Sequence, residues 1–225
     1  FEGIKNFLIK NNFINENWNA LNVLIQNAST VGALDLGFFN SKNNNTLDFF
    51  NKLNNNEFKL LYFVGSDNIN FVKKEEFVIY QGSHGDRTAQ IADIILPSPA
   101  FTEQNGLFLN LEGRLQRSVK SSYPPGDSKE DWKIFNLIIK KLANQDLFKS
   151  FNQLRESTLK EVKNHSEFDL LPDTKVDKKV NEIGNMKNEN IFVKEIDYYF
   201  SNSIARSSKT MSDCRSARFK SKIAS

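Results

Sequence analysis

The chain has 225 residues, 39% hydrophobic and 25% charged, with a formal charge of +3 at pH 7. That apolar content supports a packed core and excludes wholesale disorder, and the length fits one large domain with an appendage. One cysteine and two histidines exclude an intrachain disulfide and any cysteine- or histidine-rich metal site built from this chain alone. The small, scattered basic excess does not argue for nucleic acid. A mean hydropathy of −0.49 and no apolar run near the ~18 residues of a membrane helix predict no direct membrane span.

The chain opens FEGIKNFLIK, with neither a signal-peptide apolar stretch nor an Arg/Ser-rich transit pattern. This predicts either a processed or trimmed chain or one that needs no targeting. Residues 17–29 carry Trp18, Leu21, Leu24, Ile25 and Ala28 at helical spacing and predict an amphipathic helix. GALDLGF, 32–38, with glycines near both ends, is expected to stop it. SKNNNT (41–46) and NKLNNNE (51–57) read as solvated loop or helix end, since Asn tolerates turn geometry.

Three short apolar runs follow. FKLLYFV (58–64), FVIY (77–80) and IADIIL (91–96) each read as a buried strand, and each empties into a Gly- or Pro-rich loop. In an open α/β sheet ligands bind beyond the carboxyl ends of the strands. The loops GSD (65–67), QGSHGD (81–86) and PSPAFTE (97–103) should therefore converge on one rim. LFLNLEGRLQRS (107–118) alternates and predicts a hairpin bending at Gly113. After the rigid loop SYPPGDS, Asp127 or Ser128 is expected to cap a helix beginning near Lys129, with Trp132, Phe135, Leu137, Ile138, Ile139 and Leu142 apolar. A second helix is predicted over 146–163, with Leu147, Phe151, Leu154, Thr158 and Val162 inward. The polar stretch 164–190 reads as a linker. The last ~30 residues are aromatic at their start and then basic and helical; such a tail cannot build its own core.

Few residues offer chemistry. His84 lies two positions before Asp86 and could form a His–Asp base pair, but a loop imidazole satisfied by backbone is the favoured reading. Glu103, Glu112 and Arg114 could bind a polar ligand, against the favoured reading of an ion-pair lattice that fixes the hairpin. Neither GSDNIN nor QGSHGD is a phosphate-loop motif. Cys214 reads as a buried or half-buried helical thiol. Arg206, Lys209, Arg215, Arg218 and Lys220 could meet acidic groups, although a solvated helix face is the common outcome. No catalytic, cofactor-binding or metal-ligating residue is assigned. Asp93, Pro97, Thr102, Glu103, Asn110, Glu112 and Arg114 are expected to form one internally bonded cluster at the strand ends.

Four segments read together are more specific than any alone: WNALNVLIQNASTVGALDLGF (18–38), VIYQGSHGDRTAQIADIILPSPAFTEQNGLFLNLEGRLQ (78–116), PPGDSKEDWKIF (124–135) and DYYFSNSIARSSKTMSDC (197–214). Together they resemble the C-terminal part of the large iron–sulfur subunit of respiratory complex I. ADIILPSPAFTEQNGLFLNLEGRLQ also resembles the wider molybdopterin oxidoreductase family, while the phrase around IARSSKTM is specific to the complex I subunit.

The resemblance implies an α/β fold with a Rossmann-like, mostly parallel sheet, a hairpin excursion and a C-terminal helical tail. It divides the chain into an α/β domain, 1–163, a linker, 164–196, and a docked tail, 197–225. It implies a scaffold role in the mitochondrial peripheral arm, on the matrix side of the inner membrane, supporting electron transfer from NADH to ubiquinone. No cofactor is expected in this chain. Iron–sulfur clusters are expected in a partner, a cluster-bearing N-terminal part, alongside other peripheral-arm subunits, and Cys214 matches no cluster ligand. The absent cysteine-rich region and the Phe-, Lys-, Asn- and Ile-rich composition suggest a separately encoded piece of a split subunit, made inside the mitochondrion. The alternatives are a fragment of an active molybdopterin oxidoreductase, such as a formate dehydrogenase-like enzyme, and a free metabolite-binding domain.

Overall fold

A computed structural model describes residues 2–25, 27–38, 46–162, 167–171 and 197–223. The chain divides into two compact units that interleave in sequence. One comprises Phe1–Phe39, Leu107–Arg117 and Ser150–Val193; the other comprises Asn40–Gly106, Ser118–Lys149 and Lys194–Ser225.

The first unit holds α1 (Glu2–Lys10) and α2 (Thr30–Asp35). Residues 17–29 do not form the expected helix. The Asn15 and Asn19 side chains accept from the backbone N–H groups of Asn17 and Leu21, both at 2.9 Å, and Ile14 bridges to Asn19. These local bonds offer the backbone an alternative to helix, which is why Asn disfavours helix interiors. Trp18 and Leu24 are accordingly exposed rather than inward. The helix instead runs through Gly32, and the chain turns at Gly37, whose φ of 76° suits glycine.

The hairpin is present. β4 (Gly106–Leu109) pairs with β5 (Leu115–Ser118), and Gly113 takes a φ of 84° in the turn. Asn110 organises that turn, its Oδ1 accepting from the N–H groups of Glu112 and Arg114. Leu109 and Leu115 are buried. The second predicted helix is α6 (Phe151–Glu161), shorter than expected because Ser150 supplies the cap, accepting from Gln153 N–H at 3.2 Å. Of the predicted linker only 167–171 lies within the described residues, and there Asp169 N–H donates to Leu115 O at 2.9 Å.

The second unit is built on a parallel sheet of β1 (Leu60–Val64), β2 (Phe77–Gly82) and β3 (Ile94–Pro97), in that order. The register pairs Leu61 with Val78 and Tyr80 with Ile95. All three predicted strands are found, except that Ile91 closes a short helix, α4 (Arg87–Ile91), before β3 begins. Leu61, Phe63, Val78 and Tyr80 are buried together with Leu53 of α3 (Thr46–Asn54), and Phe49, Phe58, Ile69 and Phe71 pack around them. Each such side chain contributes roughly 1.5–3 kcal/mol on burial. SKNNN, 41–45, lies outside the described residues.

On the other sheet face Tyr62 packs at a tilt against Phe135 of α5 (Asp131–Ala143), ring centroids 5.8 Å apart. That helix starts later than expected, with Glu130 rather than Asp127 or Ser128 at its cap position. Pro97 O accepts from Lys129 N–H and so holds the preceding turn against the end of β3. The tail forms a 3-10 turn, Tyr198–Phe200, then α7 (Ser203–Ser207) and α8 (Lys209–Ile223).

Candidate functional site

The carboxyl ends of β1 and β2 meet as the sequence predicts. After β1 the chain turns at Gly65 into Ser66–Asp67, and Gly65 N–H donates to Gln81 O at 2.8 Å. After β2 it passes through Ser83, His84 and Gly85 to Asp86, whose carboxylate caps α4 by accepting from Arg87 N–H at 2.8 Å. Thr88 binds the two loops together, its N–H donating to Asp67 O and its hydroxyl accepting from Ile69 N–H. Two carboxylates, Asp67 and Asp86, are thereby fixed at one end of a parallel sheet.

Arg206 of the tail lies between them. Its Nε donates to Asp86 at 2.6 Å and its Nη2 to Asp67 at 2.6 Å, while Nη1 donates to Phe200 O at 3.1 Å. The guanidinium side chain is 16% exposed. α7, which presents it, is held by Asn202, whose side chain accepts from Ala205 N–H at 2.9 Å. Beneath this clasp the Tyr80 hydroxyl donates to His84 O at 2.8 Å. Burial, then the charges of Asp67 and Asp86, push the Tyr80 phenol up to about 12, with Arg206 opposing. Gly82 has no room for a side chain, because a Cβ there would lie 2.2 Å from the Tyr80 hydroxyl.

A second tail contact orders the aromatic start. Arg215 donates to Asp197 at 2.5 Å and lies 4.7 Å from the ring centroids of both Phe200 and Phe219. That bond holds the Asp197 carboxyl below the usual carboxylate range. A buried polar chain also runs behind the rim. Tyr62 donates to Gln81 Oε1, Gln81 Nε2 donates to Asp131 Oδ1 at 2.6 Å, and Gln104 Nε2 donates to Asp131 Oδ2 at 3.3 Å.

The remaining candidates are placed as follows. His84 does not pair with Asp86; its Nδ1 meets the Ser83 hydroxyl at 2.9 Å, so its partner is neither carboxylate nor backbone. His165 lies outside the described residues. Cys214 is exposed on α8 rather than buried or half-buried. Asp93 does not join the expected strand-end cluster. Asp93 precedes β3, at the amino end of the strand, where it accepts from Val78 N–H at 2.8 Å and pairs with Lys73 at 2.5 Å. Glu103 accepts from Ala100 N–H at 3.0 Å, and Thr102 O accepts from Ser121 N–H. Asn110, Glu112 and Arg114 belong to the hairpin of the other unit, and there Arg114 donates to the Asp169 carbonyl rather than to Glu112. Glu103 and Arg114 are each engaged by a backbone group of their own unit. Arg206 was not singled out from its neighbours by sequence reasoning. The available signal was the recurrence of Asp at the end of two adjacent strand loops, a pair of like charges that calls for a cation.

The chain matches the family model described as molybdopterin oxidoreductase over residues 1–141. It belongs to the molybdopterin oxidoreductase family. Within that family it is 34% identical over 203 residues to the NADH-ubiquinone oxidoreductase 75 kDa subunit of Reclinomonas americana, which covers 89% of this chain and 29% of the relative. It is 34% identical to the mitochondrial NADH-ubiquinone oxidoreductase 78 kDa subunit of Neurospora crassa, with 97% and 30% covered. It is 36% identical to an NADH-quinone oxidoreductase subunit of Rickettsia conorii, with 92% and 29% covered. The chain thus spans under a third of the length of these relatives. The cofactor in the family's name does not fit the rim seen here. The guanidinium is already engaged by two carboxylates and a carbonyl, and those carboxylates would repel the phosphate of a pterin cofactor. Among the described residues no group of three or more His, Cys, Asp or Glu is placed to hold a metal, and no helix is long and apolar enough to cross a membrane.

Proposed function

We propose that this chain is a scaffold segment of the large iron–sulfur subunit of respiratory complex I, working in the peripheral arm on the matrix side of the mitochondrial inner membrane. It supports electron transfer from NADH to ubiquinone by holding neighbouring subunits, above all the cluster-bearing part, and ligates no cofactor itself. The observation that carries this reading is Arg206. A tail arginine fills the strand-end rim, where an open α/β sheet would take a ligand, and turns that rim into an internal joint. The names of the relatives support the same assembly and weigh against an active molybdenum enzyme.

The test is native purification of the tagged full chain from mitochondria, with mass spectrometry of its partners and metal analysis. Co-migration with NADH-oxidising subunits in a very large assembly is expected. Deleting residues 197–225 should weaken retention in that assembly while the sheet unit still folds. A monomeric chain, or stoichiometric molybdenum in the purified material, would overturn the reading.

A further inference from the structure

We infer that the free edge of β3 seats a further parallel strand, supplied by the part of the large subunit that lies outside this chain. The inference rests on the proposed membership of that subunit.

Among the described residues β3 is an edge strand, with β2 as its only neighbour in the sheet. Its sequence does not read as an edge. Natural edges carry charge, early proline or a bulge to discourage pairing, whereas β3 is Ile94–Ile95–Leu96–Pro97 with proline only at its last position. Successive side chains in a strand point to opposite faces. Ile94 is 44% exposed and Ile95 is 53% exposed, so both faces of β3 present bare apolar surface. A continuous apolar run is the mark of a strand inside a parallel sheet, covered on both sides. The opposite edge differs. In β1, Leu61 and Phe63 are buried on one face and Tyr62 packs against Phe135 on the other, so only the end residues Leu60 and Val64 are exposed.

The backbone points the same way. Asp93 N–H donates to Val78 O at 2.8 Å, toward β2. Alternation along the strand then turns the peptide groups of Ile94 and Leu96 outward, where they form a template for pairing. A parallel partner needs a long crossover connection, which suits a distant segment. The relatives supply one, since this chain covers only 29% of the Reclinomonas americana protein.

The experiment compares amide hydrogen exchange of the peptide spanning 92–98 in the isolated full chain and in the native assembly purified through a tag on the chain. Exchange should slow by about 100-fold on assembly. Ile94→Pro removes an outward N–H, and Ile95→Lys charges the uncovered face. Each should reduce recovery in the assembly on the order of tenfold while the isolated chain keeps its far-UV circular dichroism. Fast exchange in the assembly, or normal assembly of both variants, would overturn the inference. So would protection already present in the isolated monomer, meaning the chain covers its own edge, or protection that appears only with concentration, meaning a second copy does. Protection inside an assembly lacking NADH-oxidising subunits would keep the strand seat and sink the complex I reading alone.

Discussion

Arg206 reaches Asp86 at 2.6 Å across 120 positions of sequence. The same guanidinium takes Asp67 at 2.6 Å, and both carboxylates are themselves largely buried. Two like charges on adjacent loops become tolerable only with the cation between them. Arg206→Ala leaves them facing each other with little water, and about 2–3 kcal/mol of stability should be lost. Arg206→Lys keeps the charge but not the fork that spans two acceptors, and should recover only part of it. Urea unfolding of the three proteins checks the order, and limited proteolysis should cut the alanine variant first within 197–223.

Gly82 sits where the Tyr80 ring passes. A Cβ would lie 2.2 Å from the hydroxyl oxygen and 2.5 Å from Cζ, and Tyr80 is only 2% exposed, so the ring has nowhere to move. Gly82→Ala should cost about 1–3 kcal/mol through overpacking. Adding Tyr80→Phe removes the nearer atom but not Cζ, so the double variant should recover only part of the loss in thermal melts.

The parallel sheet was legible because each strand is a short apolar run closed by Gly or Pro, a pattern fixed by local chemistry. The rim loops followed from topology alone. The failed helix at 17–29 shows the limit of periodicity: Trp18, Leu21 and Leu24 have helical spacing, but Asn15 and Asn19 capture backbone N–H groups first. The Arg206 clasp was not legible as a contact, since no local rule links a tail arginine to loops more than a hundred positions earlier. Asp93 was misplaced for a simpler reason. The run 91–96 reads as one strand, but Ile91 closes α4 and β3 begins only at Ile94, which leaves Asp93 at the amino end, away from the rim.

Gln81 has no exposed surface, yet it both accepts from Tyr62 and donates to Asp131. Gln81→Leu fills similar space but takes the partner from the Tyr62 phenol and from Oδ1 of Asp131, whose Oδ2 keeps Gln104. About 1–3 kcal/mol should be lost, and Asp131→Asn combined with Gln81→Leu should cost less than the sum of the single changes because the two share one bond. Chemical denaturation of the full cycle measures the coupling.

Asp93 and Asp197 both have lowered pKa values, held down first by hydrogen bonds from Lys73 and Arg215 respectively. A depressed carboxylate adds stability above its unfolded pKa and loses it as pH falls through the folded one. The unfolding midpoint should therefore drop as the solution is acidified below about pH 4. Asp197→Asn should flatten that decline and lower the plateau at neutral pH, measured by fluorescence melts across the acid range.

At the alkaline end Tyr80 dominates. Its phenol rises from an ordinary 10.0 to about 12, because burial and the Asp67 and Asp86 carboxylates oppose a third negative charge beside the clasp. The sign follows from linkage. Below pH 10 the phenol is neutral in folded and unfolded chains alike, and its contribution is fully present. Between about pH 10 and 12 the unfolded chain ionises while the folded one does not, so stability falls as pH rises through that window. Tyr62, also raised by burial and by Asp131, adds in the same direction. Melting temperature should decline over this range, and phenolate absorbance should show a late-titrating tyrosine. Tyr80→Phe should remove that late absorbance and shallow the decline. In Arg206→Ala the phenol should titrate later still, since the one charge that lowers its pKa is gone. Earlier titration in that variant would mean that the two carboxylates had left the rim with the tail.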